Sequence, residues 1–223
     1  MFFGKIVLYL HLKKITIKCK FFMCITEEKI NKNYLLWIEY LKKYDCYSED
    51  LITEYGEAIK NGSFAMNETS GGAYQGSLLD IVLSNLCVIA THINENAFGL
   101  NAKEKYKHPH LYCDKTSLMK VLLLQHISKA EMFVPTTEQW KINKGMFYDF
   151  NQSLPTALKL GERSIFLCMK YGITLTEEEY DAMKICDKDE EKNTSYTTPL
   201  AELVKIANQL TAIEIYQRNI NKQ

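Results

Sequence analysis

The chain has 223 residues, 47% of them apolar and 12% aromatic. That is enough for one globular domain with a core, and too apolar for a disordered segment. Its 27 basic and 27 acidic residues cancel, which argues against a broad nucleic-acid or membrane surface, so no general nucleic-acid binding and no membrane association is expected. No consecutive apolar run approaches the ~20 residues that cross a bilayer. The 7 cysteines (19, 24, 46, 87, 113, 168, 186) contain no C-x-x-C pair and read as reduced thiols in a cytosolic setting. Sparse Pro and Gly with long helical periodicities predict an all-α fold.

Residues 1–22 stand apart. They carry Lys5, Lys13, Lys14, Lys18 and Lys20 and no acid. The alternation of Leu8, Leu10 and Leu12 suggests a strand or hairpin, and no small-residue cleavage site follows. The expected organisation is a basic extension over 1–22, with Met23 as an alternative start, and a helical domain over 23–223.

Helices begin at Thr26, where Ile30, Tyr34, Trp37, Ile38 and Leu41 share a face. Ser48 reads as an N-cap, with Glu49 and Asp50 in a first turn whose dipole favours acids, and that helix stops at Asn61-Gly62. A glycine-rich stretch, Ser70 to Gly76, permits positive φ and close backbone approach. It leads into a helix over Leu78 to Ile93, apolar on most sides and therefore central. Residues 94–114 read as a polar loop. A further helix starts near Ser117. Leu118, Val121, Leu122 and Gln125 recur at helical spacing, and Lys129 follows Gln125 by four, placing a polar step on an apolar stripe. A polar group buried there needs partners, since an unpaired amide costs roughly 2–7 kcal/mol.

Residues 132–150 suggest a short hairpin. Pro155 can open the next helix, through Ile165, Phe166 and Met169 to Gly172. Thr176-x-x-Glu179 is a capping box for a short helix to about Ile185. Residues 187–196 read as a polar loop. Thr198-Pro199 caps a last helix through Leu200, Leu203, Val204, Ala207, Leu210 and Ile213.

The ordered series of these motifs resembles the HD-domain phosphohydrolases, over roughly Ser70 to Ile215. The closest likeness is to small members from bacteria and their phages. Their lead-in His-Gly-Ala-Tyr-x-Gly-Gly-Leu-Leu-x-His appears here as Gly71 to Ile81, with Gly71 and Ile81 at the two histidine positions. Their His-Asp doublet appears as Gln125-His126, with Lys129 kept. Gly-His-Gly-Glu-Lys-Ser appears as Lys159 to Ser164, with Leu160 in place of His. Cys186 takes a further His position after Leu175 to Glu179, and Asn208 takes the place of a metal-binding Asp.

The resemblance implies an HD-like helical bundle. In that family His and Asp fix divalent metals that activate water for attack on a phosphoester. Here Gln125 and Asn208 keep shape and hydrogen bonding but are weak ligands, and Ile81 cannot ligate. The expectation is a degenerate pocket with no cofactor, in a pseudoenzyme that binds an unknown protein partner or serves structurally. Phage or mobile-element origin and a location in the cytoplasm or a phage-infected cell follow from the relatives. The alternatives are a divergent phosphohydrolase with relocated ligands, or a nucleotide sensor that uses Lys129 and Arg163 for phosphate. For Lys129 and Arg163 the plainer reading is an ion pair, with Glu131 or Glu162 as partner. For Gln125 and His126 it is satisfied core polarity in an unrelated helical protein.

Three further features complete the candidates. His108-x-His110-x-x-Cys113 has zinc-ligand types but no second pair, so the plainer reading is a loop shaped by Pro109. Trp140, Phe147 and Tyr148 are a base-stacking set or core. Cys186 as a nucleophile has no motif for a base.

A chain beginning at Met23 is expected to keep the helical circular-dichroism signal and the melting temperature of the full chain. A large loss of stability would show that residues 1–22 pair with the domain.

Overall fold

The computed structural model describes residues 25–98, 109–187 and 197–220. The segment 1–22, Met23 and His108 lie outside them. The described chain is mostly helical with one short antiparallel sheet, as the periodicities predict.

Helix α1 (Glu27–Lys43) starts from Thr26, whose hydroxyl accepts from Lys29 N–H, and buries Ile30, Trp37 and Leu41. Helix α2 (Glu49–Asn61) is capped by Ser48 as expected. It ends at Gly62 in an extended conformation, φ −60°, so this glycine does not end the helix by a left-handed turn. Its use is steric, because a Cβ there would sit 3.0 Å from Leu78 Cδ2.

The central helix α3 runs Ser77–Phe98, longer than its apolar pattern suggests. Two π turns, Val82–Leu86 and Asn94–Phe98, interrupt it. By length and composition α3 could cross a membrane, but 67% of its apolar window is buried inside the fold, as in the core helix of a bundle. Asn94, placed in a loop by its polarity, instead sits buried in the helix. Its side chain bonds both the N–H and the C=O of Cys113 at 2.9 Å.

After a 3-10 turn (Pro109–Leu111), α4 (Lys115–Leu124) is capped by Asp114. It stops at Leu124 instead of continuing through Lys129. Residues 125–128 form turns closed by i→i+3 bonds, and α5 (Lys129–Met132) follows. Strands β1 (Phe133–Pro135) and β2 (Tyr148–Phe150) pair antiparallel, with Phe133 opposite Phe150. The hairpin is thus present, with a short helix α6 (Gln139–Asn143) between its strands.

Helix α7 (Leu160–Lys170) begins five residues after Pro155, which therefore does not open it. It ends before Gly172 at φ +70°. Helix α8 (Glu177–Met183) carries the expected capping box, with Thr176 N–H to Glu179 at 2.9 Å and Glu179 N–H to Thr176 Oγ1 at 3.2 Å. A 3-10 turn (Lys184–Asp187) extends it. Helix α9 (Pro199–Ile220) starts from Thr198, which accepts from Ala201 N–H.

Helices α1, α2, α4 and α9 pack around α3, α8 closes the far side against α4 and α9, and α7 packs on α8 and the 3-10 turn that follows it. One apolar cluster joins them, including Trp37, Leu86, Leu122, Leu167, Met183 and Val204. Trp37 donates its indole N–H to Leu123 C=O at 3.2 Å, tying α1 to α4.

The glycine-rich stretch works by shape. Gly72 has φ +77°, and a Cβ there would stand 2.6 Å from Ile81 Cδ1 and 3.2 Å from Phe64 Cβ. Gly172 has φ +70° with nothing within 4 Å. Gly172→Ala should therefore lose only the left-handed backbone preference, about 1 kcal/mol. Gly72→Ala should lose that plus about 1–3 kcal/mol of overpacking. Urea unfolding of both variants measures the difference.

Candidate functional site

The site forms where α4 gives up its helical bonds. Gln125 N–H is the last to reach back four residues, to Val121 C=O. The freed Gln125 C=O accepts from Ser164 Oγ at 2.9 Å, and Ser128 Oγ donates to Leu160 C=O at 2.8 Å. Ser128 and Ser164 also bond each other. One hydroxyl from α7 and one from the break therefore tie the two segments together. Nothing in the propensities of Gln125, His126, Ile127 and Ser128 forces the break, and the partners that stabilise it come from 32–39 residues away.

The break turns two side chains toward α9. Asn208 donates its Nδ2 to Gln125 Oε1 at 3.1 Å. Its Oδ1 lies 3.4 Å from His126 Nε2, a long contact. Because Asn208 uses its amide N–H on Gln125, it presents an acceptor to His126, which must carry its proton on Nε2. The three side chains form a chain: Gln125, Asn208, His126. Gln125 is fully buried and His126 is 5% exposed. Two atoms at the ends of the chain, Gln125 Nε2 and His126 Nδ1, have no protein partner. Such orphaned groups cost about 1–3 kcal/mol each.

Phe64 forms the adjoining wall. Its ring meets His126 edge-on at 5.2 Å between centroids. Lys129 Nζ sits 3.3 Å from the centre of the same ring and donates to Phe64 C=O at 2.8 Å. Burial drives the His126 pKa well below its usual value, and the Lys129 charge pushes the same way, against a smaller opposing effect of the Asn208 bond. His126 is therefore neutral at pH 7. Ile81 is buried against Gly72, next to Phe64.

The other expected positions fall as follows. Leu160 opens α7 beside the break and contributes its carbonyl. Gly71 is buried at φ +67°, its N–H on Glu68 C=O. Cys186 lies in the 3-10 turn that packs on α7 and α9. Arg163 is buried and pairs with Glu131 at 3.0 Å, while its Nη2 donates to Thr156 C=O at 2.8 Å. Lys129 and Arg163 thus point to separate internal partners, with Tyr55 OH donating to Glu131 as well. For Arg163 that is the ion-pair reading, with Glu131 as partner, whereas Lys129 donates to a backbone carbonyl. The spacing of Lys129 four after Gln125 is not helical, since the break separates them.

The zinc reading finds little. His108 lies outside the described residues and His110 is exposed on its turn. Cys113 is buried with its thiol on Leu111 C=O, and burial pushes that thiol up to about 11. Among the described residues no group of three or more His, Cys, Asp or Glu side chains could hold a metal. Of Trp140, Phe147 and Tyr148, only Trp140 is an exposed ring, with Lys141 and Lys144 near its face.

Asp80 is the carboxylate next to the aligned Ile81, but it turns to α1. It accepts from Asn33 at 3.2 Å and Tyr74 OH at 3.0 Å and pairs with Lys29 at 2.6 Å. Residue types alone did not bring forward Phe64, Ser128 and Ser164. Two serines spaced to meet across a helix break leave no periodic signal, and Phe64 reads as any apolar loop residue.

Comparison of the chain with protein-family models, curated proteins and solved structures finds no match.

The depressed His126 pKa gives a pH dependence. Unfolded His titrates near ~6.5. Below that the unfolded chain binds the extra proton and the folded one resists it, so stability falls as pH drops. The contribution is complete above pH ~6.5 and is lost by up to about 1.4 kcal/mol per unit until the folded pKa is reached. Denaturant titrations from pH 7 to 4.5 should show this slope, and His126→Gln should flatten it relative to the parent.

Proposed function

We propose that this protein is an HD-like domain that has lost metal-dependent hydrolysis and acts as a binding, interaction or structural protein. The observation that carries this reading is convergence. Gln125-His126 and Asn208 align to a metal site from two separate motifs, and Asn208 bonds Gln125 and contacts His126 across 82–83 residues of sequence. The chemistry gathered there is two carboxamides and a neutral imidazole. It holds hydrogen bonds well and offsets no cation charge. Asp80, the adjacent carboxylate, is already engaged by Lys29, Asn33 and Tyr74.

An outward apolar stripe on α9 supports an interaction role. Ile206, Leu210, Ile213 and Tyr216 follow at helical spacing, with Ile213 57% and Tyr216 56% exposed. Contiguous exposed apolar residues of this kind mark contact surfaces. The partner proposed is a protein in the cytoplasm, or in a phage-infected bacterial cell. A nucleotide sensor built on Lys129 and Arg163 is the weaker reading, because both charges are already committed to Phe64 C=O and to Glu131.

Elemental analysis of the purified protein should find no stoichiometric Mn, Fe, Ni or Mg, and chelator should leave the melting temperature unchanged. Near-stoichiometric metal would return the divergent phosphohydrolase. Thermal shifts across a nucleotide panel test the sensor, and a saturable rise would establish it.

Restoring ligands tests the alignment itself. The variant Ile81→His, Gln125→His, His126→Asp, Asn208→Asp should lose a few kcal/mol without metal, because buried carboxylates there lack a cation. Mn or Ni should recover part of that, since an ion bound only by the folded state stabilises it. Melting curves with and without metal read both effects. A variant as stable as the parent and indifferent to metal would separate these positions from any ancestral site.

A further inference from the structure

We propose that the Gln125–Asn208–His126 chain binds ordered water between the break in α4 and helix α9. The proposal rests on hydrogen-bond geometry alone and stands whether or not the HD-like reading holds. The chain has a direction. Asn208 Nδ2 donates to Gln125 Oε1, and Asn208 Oδ1 faces His126 Nε2. That direction leaves an unlike pair at the two ends, both buried and without a protein partner: an amide N–H at Gln125 Nε2 and an imidazole lone pair at His126 Nδ1.

The two ends select their occupant by chemistry. A cation is repelled at the Gln125 end and an anion at the His126 end, so neither serves both. An apolar molecule satisfies neither end. Water accepts from Gln125 and donates to His126, and buried water typically makes about three such bonds.

Phe64 closes one side of the His126 ring edge-on. The bound water also fixes the imidazole, because its donated proton requires Nδ1 to stay bare while Nε2–H serves Asn208.

Two measurements on the full chain test this. In 15N-labelled protein, His126 should show the Nε2–H tautomer with its bare Nδ1 shifted upfield by an accepted hydrogen bond. The Gln125 side-chain amide protons should show cross-relaxation with the water line. Gln125→Met, which removes both the Nε2 donor and the Oε1 that accepts from Asn208, should move the His126 Nδ1 shift while the tautomer, set by Asn208 Oδ1, is retained. Should that variant fail to fold, a crystal structure of the parent decides. Solvent density within about 3.2 Å of Gln125 Nε2 or His126 Nδ1 is expected. The proposal is overturned by an Nδ1–H tautomer, by an Nδ1 shift typical of a free lone pair, or by density showing Gln125 Nε2 turned onto a backbone carbonyl with no solvent at either end.

Discussion

A helix that stops inside a core exposes carbonyls that apolar neighbours cannot satisfy, and the packing around α4 is arranged by that demand. Ser164 of α7 takes Gln125 C=O, and Ser128 takes Leu160 C=O in return. Asn208 of α9 takes the Gln125 side chain. Lys129, the first residue after the break, reaches Phe64 C=O ahead of the glycine-rich stretch. Three segments distant in sequence are therefore fixed to one short turn. A continuous helix through Lys129 would satisfy its own backbone and would leave Ser164 without its acceptor.

The charge pattern separates this turn from the rest of the interior. Among the described residues the two buried carboxylates each have a cation, Asp80 with Lys29 and Glu179 with Lys120, and the buried Arg163 pairs with Glu131. Glu179 also closes the capping box of α8. Those pairs join helices across the fold, α4 to α8 in the case of Lys120. Within residues 125–128 the linking is done by neutral groups, and the one titratable residue there, His126, is held uncharged chiefly by burial. Neutral carboxamides carry a smaller desolvation cost than ions, so this junction needs fewer partners to be stable.

The helix starts were legible in the sequence because capping is local. Ser48, Thr176 with Glu179 and Thr198 with Pro199 each act within three or four residues, and each sits where its pattern placed it. The end of α4 was not legible, since its cause is Ser164, a residue 39 positions on. For the same reason the periodicity that put Lys129 on the Gln125 stripe misled. The length of α3 was underread because Asn94 and Glu95 look like loop, yet Asn94 is buried on Cys113. In the candidate site the pairing of Gln125 with Asn208 could be anticipated only through aligned motifs. The Phe64 wall, reached across a loop, had no signal to follow.

The π turn at Val82–Leu86 gives α3 a tolerance that its neighbours lack. Cys87 N–H reaches back five residues to Val82 C=O, so this ring holds one residue more than a regular α-helical ring. Downstream, Cys87, Ala90 and Asn94 keep one buried face while Val88 points out. Removing a single residue within the π ring returns it to an ordinary turn and leaves that face in place. The same deletion one turn later would rotate everything beyond it by about 100° and drive Val88-type positions inward. The central helix of the fold thus contains a point at which chain length can change by one while its inward and outward sides stay as they are, and single-residue gains and losses in this helix should concentrate there.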